Sequence, residues 1–213
     1  MELSHAQKLI AQGESDTIEF KRKVAHPDKI VKELVAFANT SGGHLFIGVN
    51  DDGSIPGVKF PQDEIFALNE AIKNFCRPSP SYKVEVIPLN EKRSIVHYFM
   101  PSNQGALFKV KLPAEKNPFT YVRYMDKSIK ASREVREIFK RRIQNKDVSF
   151  HFGEKEKILL EYLDRQKTIT LNEFRQCANL NYYSASKTLI LLVLANVLGV
   201  VPSDKGDEYF QLK

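Results

Sequence analysis

Apolar and polar positions change period several times along the chain, and each change marks an element. Residues 4–12 predict a first helix that Gly13 ends. Thr17-Ile18-Glu19-Phe20-Lys21 then alternates polar and apolar, the period of a strand. That geometry sends Ile18 and Phe20 to one face and Glu19, Lys21 and Lys23 to the other. Pro27 suits the first turn of a helix. Ile30, Val31, Leu34, Val35 and Ala38 recur at helical spacing until Gly42-Gly43 stops the pattern. Leu45 to Val49 is an unbroken apolar run, which predicts a central strand covered on both faces. Asn50-Asp51-Asp52-Gly53 is turn chemistry, and residues 54–58 return as a short strand.

Residues 61–76 predict a helix with Ile65, Leu68, Ile72 and Phe75 inward, ended by Pro78 and Pro80. Residues 82–88 and 94–100 predict a strand pair turning through Asn90-Glu91-Lys92-Arg93, and residues 119–124 a further strand. A basic amphipathic helix runs from Arg133 to Ile143. Val135, Ile138 and Phe139 face inward, and Arg136, Lys140, Arg141 and Arg142 outward. Helices and strands mix without a regular βαβ repeat, so the class is α+β. Asn145-Lys146-Asp147 is the linker candidate, giving domains 1–147 and 148–213. In the second, helical patterns over 154–165, 170–178 and 183–197 precede a hairpin, with Val200-Val201 and Tyr209-Phe210 flanking residues 203–207. Three helices and a wing are the winged-helix order.

Charge sharpens this picture. The net charge is +6, and residues 105–146 alone hold 12 Lys+Arg against 4 Asp+Glu, a local +8. Residues 148–213 hold eight of each sign. A focused positive stretch is the footprint of a polyanion binder. It contains Lys109, Lys111, Arg123, Lys127, Lys130, Arg133, Arg136, Lys140, Arg141 and Arg142 as phosphate-contacting candidates. The third helix of the second domain carries one cation, Lys187, which makes it a poor reader of bases, so protein contact or dimerisation is an equal role for it. No apolar run approaches the roughly 20 residues of a membrane span. Cys76 and Cys177 read as buried thiols of a reducing, cytoplasmic compartment. None of the five histidines stands at a metal or catalytic spacing, and they read as structural. Ser54 stands where a P-loop with the spacing of Gly48 and Gly53 needs lysine, so no nucleotide cofactor is expected.

Three segments carry a resemblance. They are Glu14-Ser15-Asp16-Thr17-Ile18-Glu19-Phe20-Lys21, then Ala36-Phe37-Ala38-Asn39-Thr40-Ser41-Gly42-Gly43, then Ile47-Gly48-Val49-Asn50-Asp51. In this order they resemble the Schlafen family and its bacterial relatives with the AlbA-like domain, over roughly residues 10–145. Tyr121-Val122-Arg123 and Ala131-Ser132 resemble a later signature, with Met125-Asp126 where relatives have glycine and serine. The resemblance implies a three-carboxylate centre of Glu14, Glu19 and Asp51. Such oxygens would hold Mg2+ or Mn2+ to activate water against a phosphodiester. Lys21, on the face of Glu19, would hold the scissile phosphate.

Three functions follow as expectations. The first is a nucleic-acid-binding protein, a transcriptional or defence regulator binding DNA or RNA through the basic domain. The second is a metal-dependent endoribonuclease, and the third a dimeric scaffold with a vestigial site. Because animal relatives join two lobes into a clamp and this chain has one, the resemblance also implies a homodimer.

Overall fold

The computed structural model describes residues 1–102, 105–144 and 151–212, and the linker expected at 145–147 lies outside them. The chain divides into two compact units, Met1–Ile129 and Lys130–Lys213.

The first unit begins with α1 (Leu3–Ile10), β1 (Ile18–Lys21), α2 (Pro27–Asn39) and β2 (Gly43–Ile47). It continues through α3 (Pro61–Phe75), β3 (Cys76–Arg77), β4 (Lys83–Asn90), β5 (Arg93–Met100) and β6 (Lys109–Val110). The hairpin β7 (Tyr121–Tyr124) and β8 (Lys127–Lys130) reaches the division between the units. The main sheet has the order β1-β2-β5-β4. β1 runs parallel to β2, and the other pairs are antiparallel, so the sheet is mixed and the fold α+β. Alternation along the strands builds two cores. Leu45, Ile47, Val96 and Tyr98 join α2 and α3, whereas Ile18, Phe20, Phe46 and Ile95 join Ala6 and Ile10 of α1. The β2 strand is therefore covered on both faces, as its apolar run predicts.

The end of α2 fixes the start of β2. Gly42 has φ +77°, and its N–H donates to the Phe37 carbonyl at 2.9 Å. A Cβ there would stand 2.6 Å from the Met100 carbonyl oxygen, and one at Gly43 2.5 Å from the Phe37 ring. Both glycines therefore answer packing as well as chain direction. The strand expected at 54–58 does not form; only Val58 bridges to Ser94. The β7–β8 turn closes without glycine, with Met125 at φ +54°.

The second unit contains α4 (Arg133–Ile143), α5 (Glu154–Gln166), β9 (Thr168–Thr170), α6 (Leu171–Cys177), α7 (Tyr182–Leu194), β10 (Leu198–Val201) and β11 (Glu208–Gln211). Its antiparallel sheet has the order β10-β11-β9. Ile138 of α4 shares a core with Leu159, Leu163, Phe174, Leu189 and Val193. The compact C-terminal unit thus starts before α4, earlier than the sequence-based boundary at 148. Glu134 of α4 is buried and accepts from the Tyr182 hydroxyl at 2.9 Å and the Ser186 hydroxyl at 2.6 Å. Cys76 is buried as expected, with its thiol pushed up to about 12 by burial. Cys177 is exposed, a correction: it ends α6, whose inward-facing residue is Phe174. Among the described residues, no helix is long and apolar enough to cross a membrane.

Candidate functional site

The period of β1 turns Glu19 away from the Ile18–Phe20 core and toward the face that α2 and β7 cover. Glu19 is only 5% exposed. One of its oxygens accepts from the Lys21 ammonium, and the other from Arg123 Nη2 at 2.7 Å. Arg123, projecting from β7, is the hub. Its Nη1 donates to Glu33 of α2 at 2.8 Å, and its Nε and Nη2 donate to the Ser15 carbonyl at 3.1 and 2.9 Å. Its guanidinium lies 4.9 Å from the Phe37 ring centre. The Ser128 hydroxyl also donates to Glu33. Glu14, in the turn before β1, accepts from the Phe20 N–H at 2.9 Å.

Burial raises the pKa of Glu14, an effect opposed by the Phe20 N–H and reinforced by the charge of Glu19. Burial also raises Glu33, again with the charge of Glu19 beside it, against the Ser128 hydroxyl and Arg123. The site is a network of three carboxylates and two cations that ties β1, α2 and β7 together. Its acids are Glu14, Glu19 and Glu33.

Asp51 stands exposed in the turn after β2. Among the described residues, no group of three or more His, Cys, Asp or Glu is placed to hold a metal ion. Both Glu19 oxygens face cations, so the acids as arranged form an ion-pair network. Lys21 likewise has internal partners, Glu19 and the Phe20 carbonyl at 2.9 Å, instead of projecting free toward a phosphate.

The basic candidates separate by environment and by unit. Arg123 is 6% exposed and paired with both Glu19 and Glu33. Lys111 and Lys127 are exposed on the first unit, where Lys109 is half-buried. Lys130, Arg133, Arg136, Lys140 and Arg142 are exposed on the second, and half-buried Arg141 pairs with Glu137 at 2.7 Å.

Sequence reading missed three features. Glu33 flanks the apolar stripe of α2, a position that hints at partial burial but names no partner. Asn39, at the end of α2, donates to the carbonyls of Phe108 and Tyr121 at 3.0 and 2.9 Å, and accepts from the Phe108 N–H at 2.8 Å. His44 and His97 meet with ring nitrogens 2.8 Å apart, although no sequence spacing joins them. Strand pairing brings them together, with Phe46 opposite His97 and His44 opposite Phe99.

A mixed sheet with a glycine-stopped helix, and an acidic first strand locked by an arginine from a later hairpin, define an α+β domain of the AlbA-like class. The chain matches the family described as Schlafen, AlbA_2 over residues 14–148 and belongs to that family. Among solved structures, a protein of Corynebacterium diphtheriae is similar at 14% identity and TM-score 0.44, over 66% of this chain and 32% of its own length. The N-terminal domain of an ATP-dependent DNA helicase RecG-related protein from Nitrosomonas europaea is similar at 16% identity and TM-score 0.43, over 72% of this chain and 99% of that domain.

Proposed function

We propose that the protein binds nucleic acid through cations on its surface, and that its second unit is a winged-helix module. The observation that carries this is α4, which presents Arg133, Arg136, Lys140 and Arg142 to solvent along one 11-residue helix. Such a row attracts a polyanion whatever its sequence. Membership of the AlbA_2 family agrees with it, and so does the succession α5-β9-α6-α7-β10-β11, which is winged-helix order. A role as a transcriptional or defence regulator fits such a binder. The proposal includes a homodimer that supplies a second lobe. Light scattering that reads a monomer with and without RNA removes that part.

The test is binding of labelled RNA and DNA across a salt series. The log–log slope should be about −0.7 to −0.9 per phosphate contact. Replacing Arg136, Lys140 and Arg142 together with alanine should weaken every sequence alike and flatten the slope by about 2. Absence of salt-dependent binding overturns the proposal. The same protein incubated with tRNA and Mn2+ gives the rival its chance. Cleavage that disappears in Glu19→Ala would replace this reading with a metal-dependent endoribonuclease.

A further inference from the structure

We propose that the cleft between α4 and α7 is a phosphodiester-binding site by which the C-terminal unit grips a nucleic-acid backbone. The inference rests on the nucleic-acid function above and assigns it a place. The cleft has a volume of about 250 Å3. Arg133, Glu137 and Arg141, spaced every four residues, form one wall from a single stripe of α4. Tyr183, Ser186 and Lys187 of α7 form the other. Three cations face one carboxylate, and Glu137 is already engaged by Arg141 at 2.7 Å. An excess of two positive charges is left at the walls.

The cleft is prepared rather than incidental. The Arg133 guanidinium stands 5.9 Å from the Tyr182 ring centre, and the Tyr182 hydroxyl is tied to buried Glu134 at 2.9 Å. Ser186 is likewise committed to Glu134, so its hydroxyl is satisfied before any ligand arrives. Tyr183, 63% exposed, holds an aromatic face at the rim, where a base or sugar would stack. A volume below the roughly 300–1,000 Å3 of small-molecule pockets suits one phosphate group better than a whole cofactor. A single free anion would need nothing more. Yet Lys187 also lines a second cavity of about 250 Å3 on α7, with His151, Lys155 and Glu156, and Lys155 pairs with Glu156 at 3.7 Å. With Lys155 offset by Glu156, Lys187 is the cation the two cavities share, and successive phosphates of a chain would meet it from either side.

Fluorescence anisotropy on the full chain, with a labelled single-stranded RNA and a labelled duplex DNA, tests this. Arg133→Ala/Lys187→Ala is compared with Lys157→Ala/Arg165→Ala, which removes two exposed charges of the same unit on α5. The cleft pair should lose about tenfold or more in affinity and flatten the salt slope by 1 to 2, roughly one contact per cation. The control pair should stay within about twofold of wild type. Tyr183→Ala should weaken the single strand more than the duplex, because stacking needs an unpaired base. Equal losses in the two pairs, or none in the cleft pair, overturn the cleft while leaving the wild-type binding that supports the broader function. Wild type that binds neither probe overturns both. Inorganic phosphate at constant ionic strength should displace RNA no better than chloride. Selective displacement would mark a small-anion site and overturn the backbone assignment.

Discussion

Arg123 shows how one residue type takes opposite roles. In sequence it is one cation among 12 in a basic stretch, indistinguishable from Lys111 or Lys127. Its partner Glu19 lies 104 residues away, and no local pattern reports such a pairing. What β1 made legible was the face of Glu19; what that face met was not. Arg123→Met should take the shared cation from half-buried Glu33 and from buried Glu19, which keeps only Lys21, and cost about 3–5 kcal/mol in urea denaturation. Lys111→Ala and Lys127→Ala, at exposed sites, should stay within about 0.5 kcal/mol of wild type. Adding Glu19→Gln and Glu33→Gln to Arg123→Met should recover part of the loss, since no buried charge then remains unpaired. His97 makes a second residue-scale case. Buried first of all, and beside His44, it is pushed down to about 4 from 6.5. Its Nδ1 is 3.7 Å from the Glu85 carboxylate, too far for a hydrogen bond. Between pH 6.5 and about 4 the unfolded imidazole takes up a proton that the folded one refuses. Stability should therefore fall with pH across that window, by on the order of 3 kcal/mol. Glu14 and Glu33, raised in the fold, act in the opposite direction, favouring the native state as pH falls. The difference between wild type and His97→Gln in urea midpoints at neutral and acid pH isolates the histidine. Equal acid sensitivity in the two proteins would refute the assignment.

Among the elements, α4 was legible in extent but not in what it packs against. Its apolar stripe of Val135 and Ile138 announces that one face is buried, but says nothing of what covers it. The structure answers with α7, through Glu134 and its two hydroxyl donors. Ser186→Ala should remove one of those donors and cost about 1–3 kcal/mol in the melting of the second unit, followed by circular dichroism. Val at Ser186 should cost more, because its bulk meets the same carboxylate with no hydrogen bond. The long helices and the β4–β5 pair were readable because they span several periods. β3, β6, β8 and β9 have two to four residues each, too few to display one. β8 was further hidden because Met125-Asp126 lacks the turn glycine, with Met125 itself adopting the left-handed conformation. The short strand expected at 54–58 failed at Gly57, whose φ of +65° breaks extension.

At the scale of the whole molecule, the basic stretch does not belong to one unit. Residues 1–129 hold 17 Lys+Arg and 15 Asp+Glu, a net +2, while residues 130–213 hold 15 and 11, a net +4. The segment that looked neutral when cut at 148 becomes the more basic unit once α4 is included. A fragment of residues 130–213 should melt cooperatively, with Ile138 seated among the helices. A fragment of residues 148–213 lacks that cover and should melt broadly at lower temperature. Identical melting of the two fragments would show that α4 is dispensable to the unit. The longer fragment should also retain salt-dependent binding to RNA, whereas the shorter one loses most of it.

Asn39 closes the chemistry of α2 in another way. Its amide satisfies backbone groups of Phe108 and Tyr121 that lie far along the chain. Deamidation would replace an N–H2 donor with a carboxylate oxygen aimed at two carbonyls, undoing at one stroke a join made across more than 60 residues. The attacking atom in that ageing reaction is the next backbone nitrogen, and here the Thr40 N–H is held by the Phe37 carbonyl at 3.0 Å. The helix end that positions this side chain therefore also protects it from ageing, for as long as the helix stays folded.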